Sequence, residues 1–382
     1  MSSNSTNSTT VPDILKESAS LTVVFIILYV VLFFIGFSGN SLVVYIVMRN
    51  KAMQTITNIF ITNLAISDIM ICLLAVPFTP LSYFMNSWVF GDGLCHIVPM
   101  SLCICVFVST LTSTAIAVDR YFVIVYPFKP RMKTCVCILM IIAIWIISIS
   151  ISLPLGIYQV IEDTNGTKTC KEHWPKDQAR QFFTVTSLVL QYIVPCSIIT
   201  YCYSKVSLAL RKRSKSRIGS GSVSRERDEM EIRRKRRTNK MLIAMVTIFV
   251  CCWLPLNMVL LVGEYYNIFH SMPYFPLIFL LSHVIAMSSI IYNPFLYAWM
   301  NDNFKKEFKL VLPCLYRRSS DRNANGNFTQ YTHVETNPSV VMNKSPQKES
   351  NGNENAKNTK AYFEAETERV HLNVADDHDN SD

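Results

Sequence analysis

Charge is scarce in this chain, and scarcest over long stretches. Only 16% of the 382 residues are charged, while 50% are hydrophobic. From Leu21 to Met48 there is no charged side chain. So little charge cannot cover the surface of an ordinary soluble domain; the composition fits a protein with many membrane spans. The long apolar runs are continuous and lack apolar–polar alternation, which excludes a transmembrane barrel. No group of His, Cys, Asp and Glu has metal-ligand spacing, and no nucleophile–base pair stands out, so the chain does not read as an enzyme. The first 20 residues lack the basic stretch and apolar core of a cleaved signal peptide, so the first apolar run is expected to serve as the insertion signal. Repeated halves with interrupted helices, the mark of many transporters, are missing too.

Seven apolar runs are present, at 21–48, 56–84, 94–126, 135–158, 181–209, 239–262 and 274–299. Each reaches the ~20 residues that span a bilayer as a helix. The expected fold is an all-α membrane protein, a seven-transmembrane helix bundle with a short amphipathic eighth helix. Its parts are an N-terminal arm (1–20), the bundle (21–300), an interfacial helix (301–316) and a disordered tail (317–382).

Basic residues orient the chain. With the N-terminus outside, the outer segments hold five of the 36 Lys and Arg: Lys16, Lys168, Lys171, Lys176 and Arg180. The reverse orientation breaks the positive-inside rule. Sequons at Asn4, Asn7 and Asn165 fall outside, as glycosylation requires, whereas that at Asn327 falls inside and should stay unused. Of 12 cysteines, most sit in apolar runs and read as small core residues. Cys95 and Cys170 both face the oxidising side, where a disulfide pinning the loop over the bundle competes with two free thiols.

On the inner side, basic runs at Arg211–Arg213 and Arg233–Arg237 abut spans five and six. They read as anchoring at anionic lipid rather than nucleic-acid binding. A loop is expected between them, at 210–238. Phe304, Phe308, Val311 and Leu312 fall on one helical face beside lysines, which suits a helix lying in the interface. Cys314 follows as a palmitoylation candidate. The polar tail after it should be disordered and could be phosphorylated.

Asp119-Arg120-Tyr121 places two charges where the third span leaves the membrane. Such charges are costly and tend to be functional. From Cys95 to Arg120 is 25 residues, ~37 Å of helix, one crossing with some tilt. Asp68 lies midway along span two and needs a proton or a partner. Asn40, Ser109, Ser289 and Asn293 stand at similar depth. A carboxylate among neutral oxygens suits a small hard cation such as sodium; a hydrated polar cluster with a protonated Asp68 is the alternative. Pro77, Pro154, Pro195, Pro255 and Pro294 each delete a backbone hydrogen bond inside a span. Trp253 and Tyr297 lie beside two of these kinks, where a change of bend would repack them.

Six motifs in order carry a resemblance over residues 21–315. They are Gly39-Asn40, Leu64-Ala65-Ile66-Ser67-Asp68, Asp119-Arg120-Tyr121, Trp145, Cys251-Cys252-Trp253-Leu254-Pro255 and Asn293-Pro294-Phe295-Leu296-Tyr297. The chain resembles the rhodopsin family (class A) of G-protein-coupled receptors. The resemblance implies a seven-helix fold and ligand-controlled activation of a heterotrimeric G protein, with arrestin and receptor kinases as further partners. It makes Arg120 the switch arginine, restrained by Asp119 and meeting Tyr203 and Tyr297 on activation. Trp253 becomes the pivot below the ligand pocket, and Asp68, Asn40 and Ser109 match the family's sodium site. Two positions depart. Lys235 stands where many members carry an acid that locks the arginine, so a weak inactive-state lock and some basal activity are expected. Thr110 replaces a bulky aliphatic that packs against Pro195 and Phe249.

The ligand class narrows by elimination. Segment 274–299 has no Schiff-base lysine, and Leu102 occupies the aspartate position of amine receptors. Outer segments carry eight acids against five bases, a mouth that draws cations. Glu264 stands at the end of span six beside Tyr265 and Tyr266, able to take a guanidinium. Phe90-Gly91, the run Phe122 to Pro127, and His283 resemble receptors of the neuropeptide Y, neuropeptide F and short neuropeptide F group. In that group an acid at the Glu264 position receives an arginine near the amidated peptide terminus. Thr79, Gln191 and His283 match polar pocket positions around the terminal amide. The expected ligand is an Arg-Phe-amide or Arg-Tyr-amide peptide, the expected G protein of the Gi/o class. A tachykinin-like or prolactin-releasing-peptide-like ligand is the alternative, and a seven-span transporter the remote one.

Overall fold

The computed structural model describes residues 19–164, 166–216, 222–266, 272 and 274–311, with the side chains of 213–216 and 222–228 excepted. Asn4, Asn7, Asn165, Cys314 and the tail 317–382 lie outside the described residues.

The apolar runs fold as helices, the one open-ended element whose backbone is satisfied without water. Span one is α1, Ala19–Arg49. Span two is α2, Ile56–Leu74, and α3, Phe78–Met85, separated at Pro77, which has no N–H to continue the ladder. Span three is α4, Asp92–Val125, and span four α5, Thr134–Ile157. An antiparallel hairpin follows, β1 Gln159–Thr164 and β2 Thr167–Glu172, with Ile161 opposite Cys170. Span five runs through α6, Asp177–Leu188, a π turn at Val189–Ile193, and α7, Val194–Ser216. The π turn sits where Pro195 leaves the Gln191 carbonyl without its usual donor. Span six is α8, Ser222–Tyr265, span seven α9, Phe275–Met300, and α10, Asp302–Val311, closes the described chain. Among the described residues seven helices are long and apolar enough to cross a membrane, at the positions expected from sequence.

Two expectations need correction. The segment 210–238 is mostly not a loop: α7 continues to Ser216 and α8 begins at Ser222. Its Lys, Arg and Glu residues are good helix formers, and a helix that leaves the membrane has no reason to stop there. The apolar face of α10 does not lie wholly on the interface either. Phe304 and Phe308 are buried, and Phe304 stacks on Tyr297 at 5.4 Å between centroids. Its apolar face therefore serves mainly to cap the bundle, while Leu310 stays exposed.

Spans two and three form the centre. Their most apolar stretches are 61% and 56% buried, against 22% for spans one and four, whose exposed Val, Ile and Phe face lipid. Polar side chains tie the helices across. Asn63 donates to the Thr112 hydroxyl at 2.8 Å and accepts from the Trp145 indole N–H at 2.9 Å, joining spans two, three and four. Such bonds substitute for the missing hydrophobic drive between helices in lipid. Span one meets span seven at Gly36. A Cβ there would stand 2.8 Å from Ile290 Cδ1 and 3.0 Å from Cys72 Sγ. Gly36→Val is therefore expected to destabilise the bundle by about 1–2 kcal/mol through overpacking. Thermal unfolding of the purified protein would show a lower midpoint; an unchanged one would refute the close contact.

Candidate functional site

At the Cys95 end a disulfide joins Cys95 of α4 to Cys170 of β2, with Cα atoms 5.7 Å apart. Cys95, Trp88 and Val98 form a small core with Phe78, Phe90, Leu94 and Ile161. The Trp88 backbone N–H donates to Lys168 O at 2.6 Å, and its indole N–H to Gly91 O at 2.8 Å. Gly91 has φ +82°, open to glycine and strained for other residues, which lets the carbonyl turn towards Trp88. The hairpin is thus held to the bundle by a covalent bond and an aromatic cluster.

Three charged residues gather beside it. Arg180 Nε in the first turn of α6 donates to Glu264 Oε1 at 2.7 Å, with the glutamate side chain only 10% exposed. Glu172, at the end of β2, accepts from the Trp174 indole N–H at 2.8 Å. Crowding around the Glu172 carboxylate pushes its pKa up. The Trp174 hydrogen bond and Arg180 pull it down, and Glu264 adds to the rise. Glu172 remains open to water, so this upward push is mild beside that on an enclosed acid. On the solvent side of the hairpin, the Lys171 ammonium holds Glu162 at 2.8 Å and lowers its pKa.

Deeper, the buried His283 forms a hydrogen bond through Nδ1 with the Tyr29 hydroxyl at 2.8 Å and stacks on Phe279, which stacks on Tyr83. Among the described residues its Nε2 has no partner. An unpaired buried nitrogen is costly, and a ligand amide could satisfy it. Thr79 sits half-buried in the first turn of α3, its carbonyl taken by Ser82. Gln191, in the π turn, lines a cavity with Thr110, Ser113, Pro195, Ile199, Val246 and Phe249. The smaller Thr110 leaves this space, and its hydroxyl bonds back to Val106 O at 2.8 Å.

Below the pocket, Trp253 is buried and donates its indole N–H to Ser289 at 3.1 Å. Four residues further along α9, Asn293 donates to Asp68 Oδ2 at 2.9 Å. Asn40 donates to Ile290 O at 3.0 Å, and its own Oδ1 has no partner among the described residues. One turn of span seven thus meets spans six, one and two. Ser109 pairs with Ser67, at 2.9 Å. Among the described residues no three His, Cys, Asp or Glu gather as a metal site. A cation here would rest on one carboxylate and neutral oxygens.

At the other end Arg120 donates to Asp119 at 3.0 Å and also to the Thr57 hydroxyl of span two. The Tyr297 hydroxyl has no partner among the described residues, and its ring rests on Phe304. Tyr203 is buried on α7. Lys235 pairs with Glu231 one turn back, at 2.5 Å. Arg237 binds the Asp302 carboxylate and donates to Trp299 O at 2.6 Å, and Arg234 donates to Asn303 Oδ1 at 2.6 Å. Span six is thereby fastened to the start of α10. Thr57, Arg180, Glu172, Tyr29, Phe279 and this fastening were not singled out from sequence. From sequence Arg180 is only one of the five outer bases, and Glu172 only one of the eight outer acids. None of the others carries a motif, because each depends on which helices become neighbours.

Comparison with known proteins agrees with this arrangement. Residues 39–297 match the model of the 7 transmembrane receptor (rhodopsin family). The chain is 33% identical over 315 residues to neuropeptide Y receptor type 2 of Sus scrofa, covering 79% of this chain and 80% of the relative. Against neuropeptide Y receptor type 2 of Homo sapiens it is 32% identical, covering 77% of each chain. The RYamide receptor of Drosophila melanogaster is 33% identical over 78% of this chain and 65% of its own length. With seven spans, the Asp119–Arg120 pair and the Trp253 and Tyr297 motifs in place, the chain belongs to the rhodopsin family of seven-transmembrane receptors.

Proposed function

We propose that the chain is a plasma-membrane receptor for an amidated neuropeptide ending in Arg-Phe-amide or Arg-Tyr-amide, and that it activates a heterotrimeric G protein of the Gi/o class. The carrying observation is Glu264, an enclosed carboxylate at the Cys95 end that already holds a guanidinium, that of Arg180. A carboxylate so placed favours a forked cationic partner over a neutral one. Relatives named as neuropeptide Y and RYamide receptors support a peptide of this kind. In this reading the N-terminal arm 1–20, with Asn4 and Asn7, and the hairpin face the outside. Cys314 and the tail 317–382 lie inside. His283, with its unpaired Nε2, Thr79 and Gln191 would receive the terminal amide, and the terminal ring would point towards Trp253. A sodium ion would be held by Asp68 with Asn40 and Ser109; the unpartnered Asn40 Oδ1 fits a site that takes a visitor. Its charge would offset the single buried carboxylate.

Glu264→Gln keeps the shape and removes the charge. It is expected to weaken activation by an Arg-containing amidated peptide about tenfold, the difference between a charge-assisted and a neutral hydrogen bond. Activation by the citrulline analogue should hardly change. Dose–response curves of G-protein activation in cells expressing each variant measure this. Equal losses for both peptides would remove the pairing, and no response to any such peptide would remove the ligand class.

A further inference from the structure

We infer that Arg180 is an internal placeholder for the ligand's guanidinium, and that Glu172 is the acceptor to which it moves when the ligand binds Glu264. The inference deepens the peptide reading above and rests on it.

The geometry at the Cys95 end sets up an exchange. Glu264 is 10% exposed while Arg180 is 31% exposed, so the arginine is the more accessible partner of the pair. An enclosed carboxylate without a partner is costly, and Arg180 removes that cost in the ligand-free state. Among the described residues the bond is single-pronged, Nε to Oε1. An incoming guanidinium can present two parallel N–H groups to the same carboxylate, the stronger arrangement. The displaced Arg180 is not left stranded. Glu172 lies within electrostatic reach of both Arg180 and Glu264, and its carboxylate is positioned by the Trp174 indole N–H at 2.8 Å. The Trp174 ring is itself fixed between Tyr158 and Phe183. Two carboxylates and one guanidinium leave one negative charge uncompensated. A single added cation neutralises the group, and a ligand without one gains nothing from the exchange. Arg180 therefore lowers affinity for the correct ligand while excluding neutral ones, a selectivity device built from a competing contact.

The test uses the full chain in lipid nanodiscs with amidated hexapeptides ending in Arg-Phe-amide or citrulline-Phe-amide. Affinities are read from the peptide dependence of the thermal unfolding midpoint. Arg180→Gln should strengthen binding of the Arg peptide about fivefold, since the ligand no longer displaces a charged competitor, and leave the citrulline peptide unchanged. Glu172→Gln should weaken the Arg peptide alone. If Arg180→Gln does not fold, Arg180→Lys replaces it; it keeps the charge but loses the Nε–H that meets Glu264, and should give a smaller gain of the same sign. Arg180→Gln leaving the Arg peptide unchanged, weakening it, or shifting both peptides alike would overturn the placeholder. The peptide reading would then stand, provided that the parent chain still prefers arginine. A preference for arginine that emerges only in Arg180→Gln would keep Arg180 as a competitor for Glu264 and overturn the peptide reading. No preference in either protein would overturn both.

Discussion

Cys95→Ser/Cys170→Ser is expected to cost about a hundredfold in peptide affinity. The disulfide closes a separation of 75 residues, for which chain entropy in a free polymer predicts about 4.5 kcal/mol. Spans three and four already confine that segment, so about 2–3 kcal/mol is the better expectation, and tenfold in affinity is 1.4 kcal/mol. The loss should fall on the ligand site because the bond anchors β2, and β2 ends at Glu172. Without the anchor, the hairpin is held by noncovalent contacts, chiefly the Trp88–Lys168 hydrogen bond and the aromatic cluster around Val98. The double variant avoids an unpaired reactive thiol. Binding of a labelled amidated peptide to purified receptor, with thermal unfolding followed in parallel, separates a lost site from a lost fold. Parent-like affinity in a folded double variant would show that the hairpin holds its place without the bridge.

How far the sequence reveals this molecule differs between its levels. The spans were legible because lipid leaves the backbone one open-ended solution and forbids charge, so Leu21–Met48 reads as a helix from composition alone. Asp119 beside Arg120 was legible because adjacency in sequence is adjacency in space. The disulfide was legible as a candidate because two cysteines fell on one side of a topology fixed by lysine and arginine. Contacts between helices were not. Thr57 reaches Arg120 across 63 positions and Arg180 reaches Glu264 across 84, and nothing local to either residue encodes the partner. Helix ends beyond the membrane were misjudged for a different reason. Hydropathy ends where the lipid ends, whereas a charged helix can continue past it, as α7 does to Ser216 and α8 does from Ser222. The α10 face reads from sequence as interfacial because an apolar stripe beside lysines is the same pattern whether lipid or the bundle covers it. Phe304 and Phe308 meet the bundle.

Arg237→Asp should raise ligand-independent G-protein activation about twentyfold. The sequence placed Lys235 where a lock on Arg120 would need an acid, and Lys235 indeed turns to Glu231 instead. Other contacts restrain this end of span six. Arg237 binds Asp302 and the Trp299 carbonyl, Arg234 binds Asn303, and Arg236 donates to Leu210 O at 3.2 Å. Any outward swing of span six that opens a groove for a G protein must break the first three. Arg237 and Asp302 are 38% and 46% exposed, so water screens their attraction and the ion pair alone is worth at most about 1 kcal/mol. The hydrogen bond to the Trp299 carbonyl brings the share of Arg237 itself to about 2 kcal/mol. Charge reversal loses that and adds repulsion from Asp302, which shifts a closed-to-open equilibrium by more than tenfold. Nucleotide exchange on a purified Gi/o protein, with receptor in nanodiscs and no peptide, reads the effect. Arg237→Asp/Asp302→Arg should recover part of the restraint; recovery stays incomplete because an arginine in the first turn of α10 opposes the helix dipole. Raising the ionic strength should increase basal exchange in the parent more than in Arg237→Asp, because only the parent has an attraction to screen. Basal exchange in Arg237→Asp equal to that of the parent would show that span six is held by other contacts, among them the Arg236 bond to Leu210 O of α7.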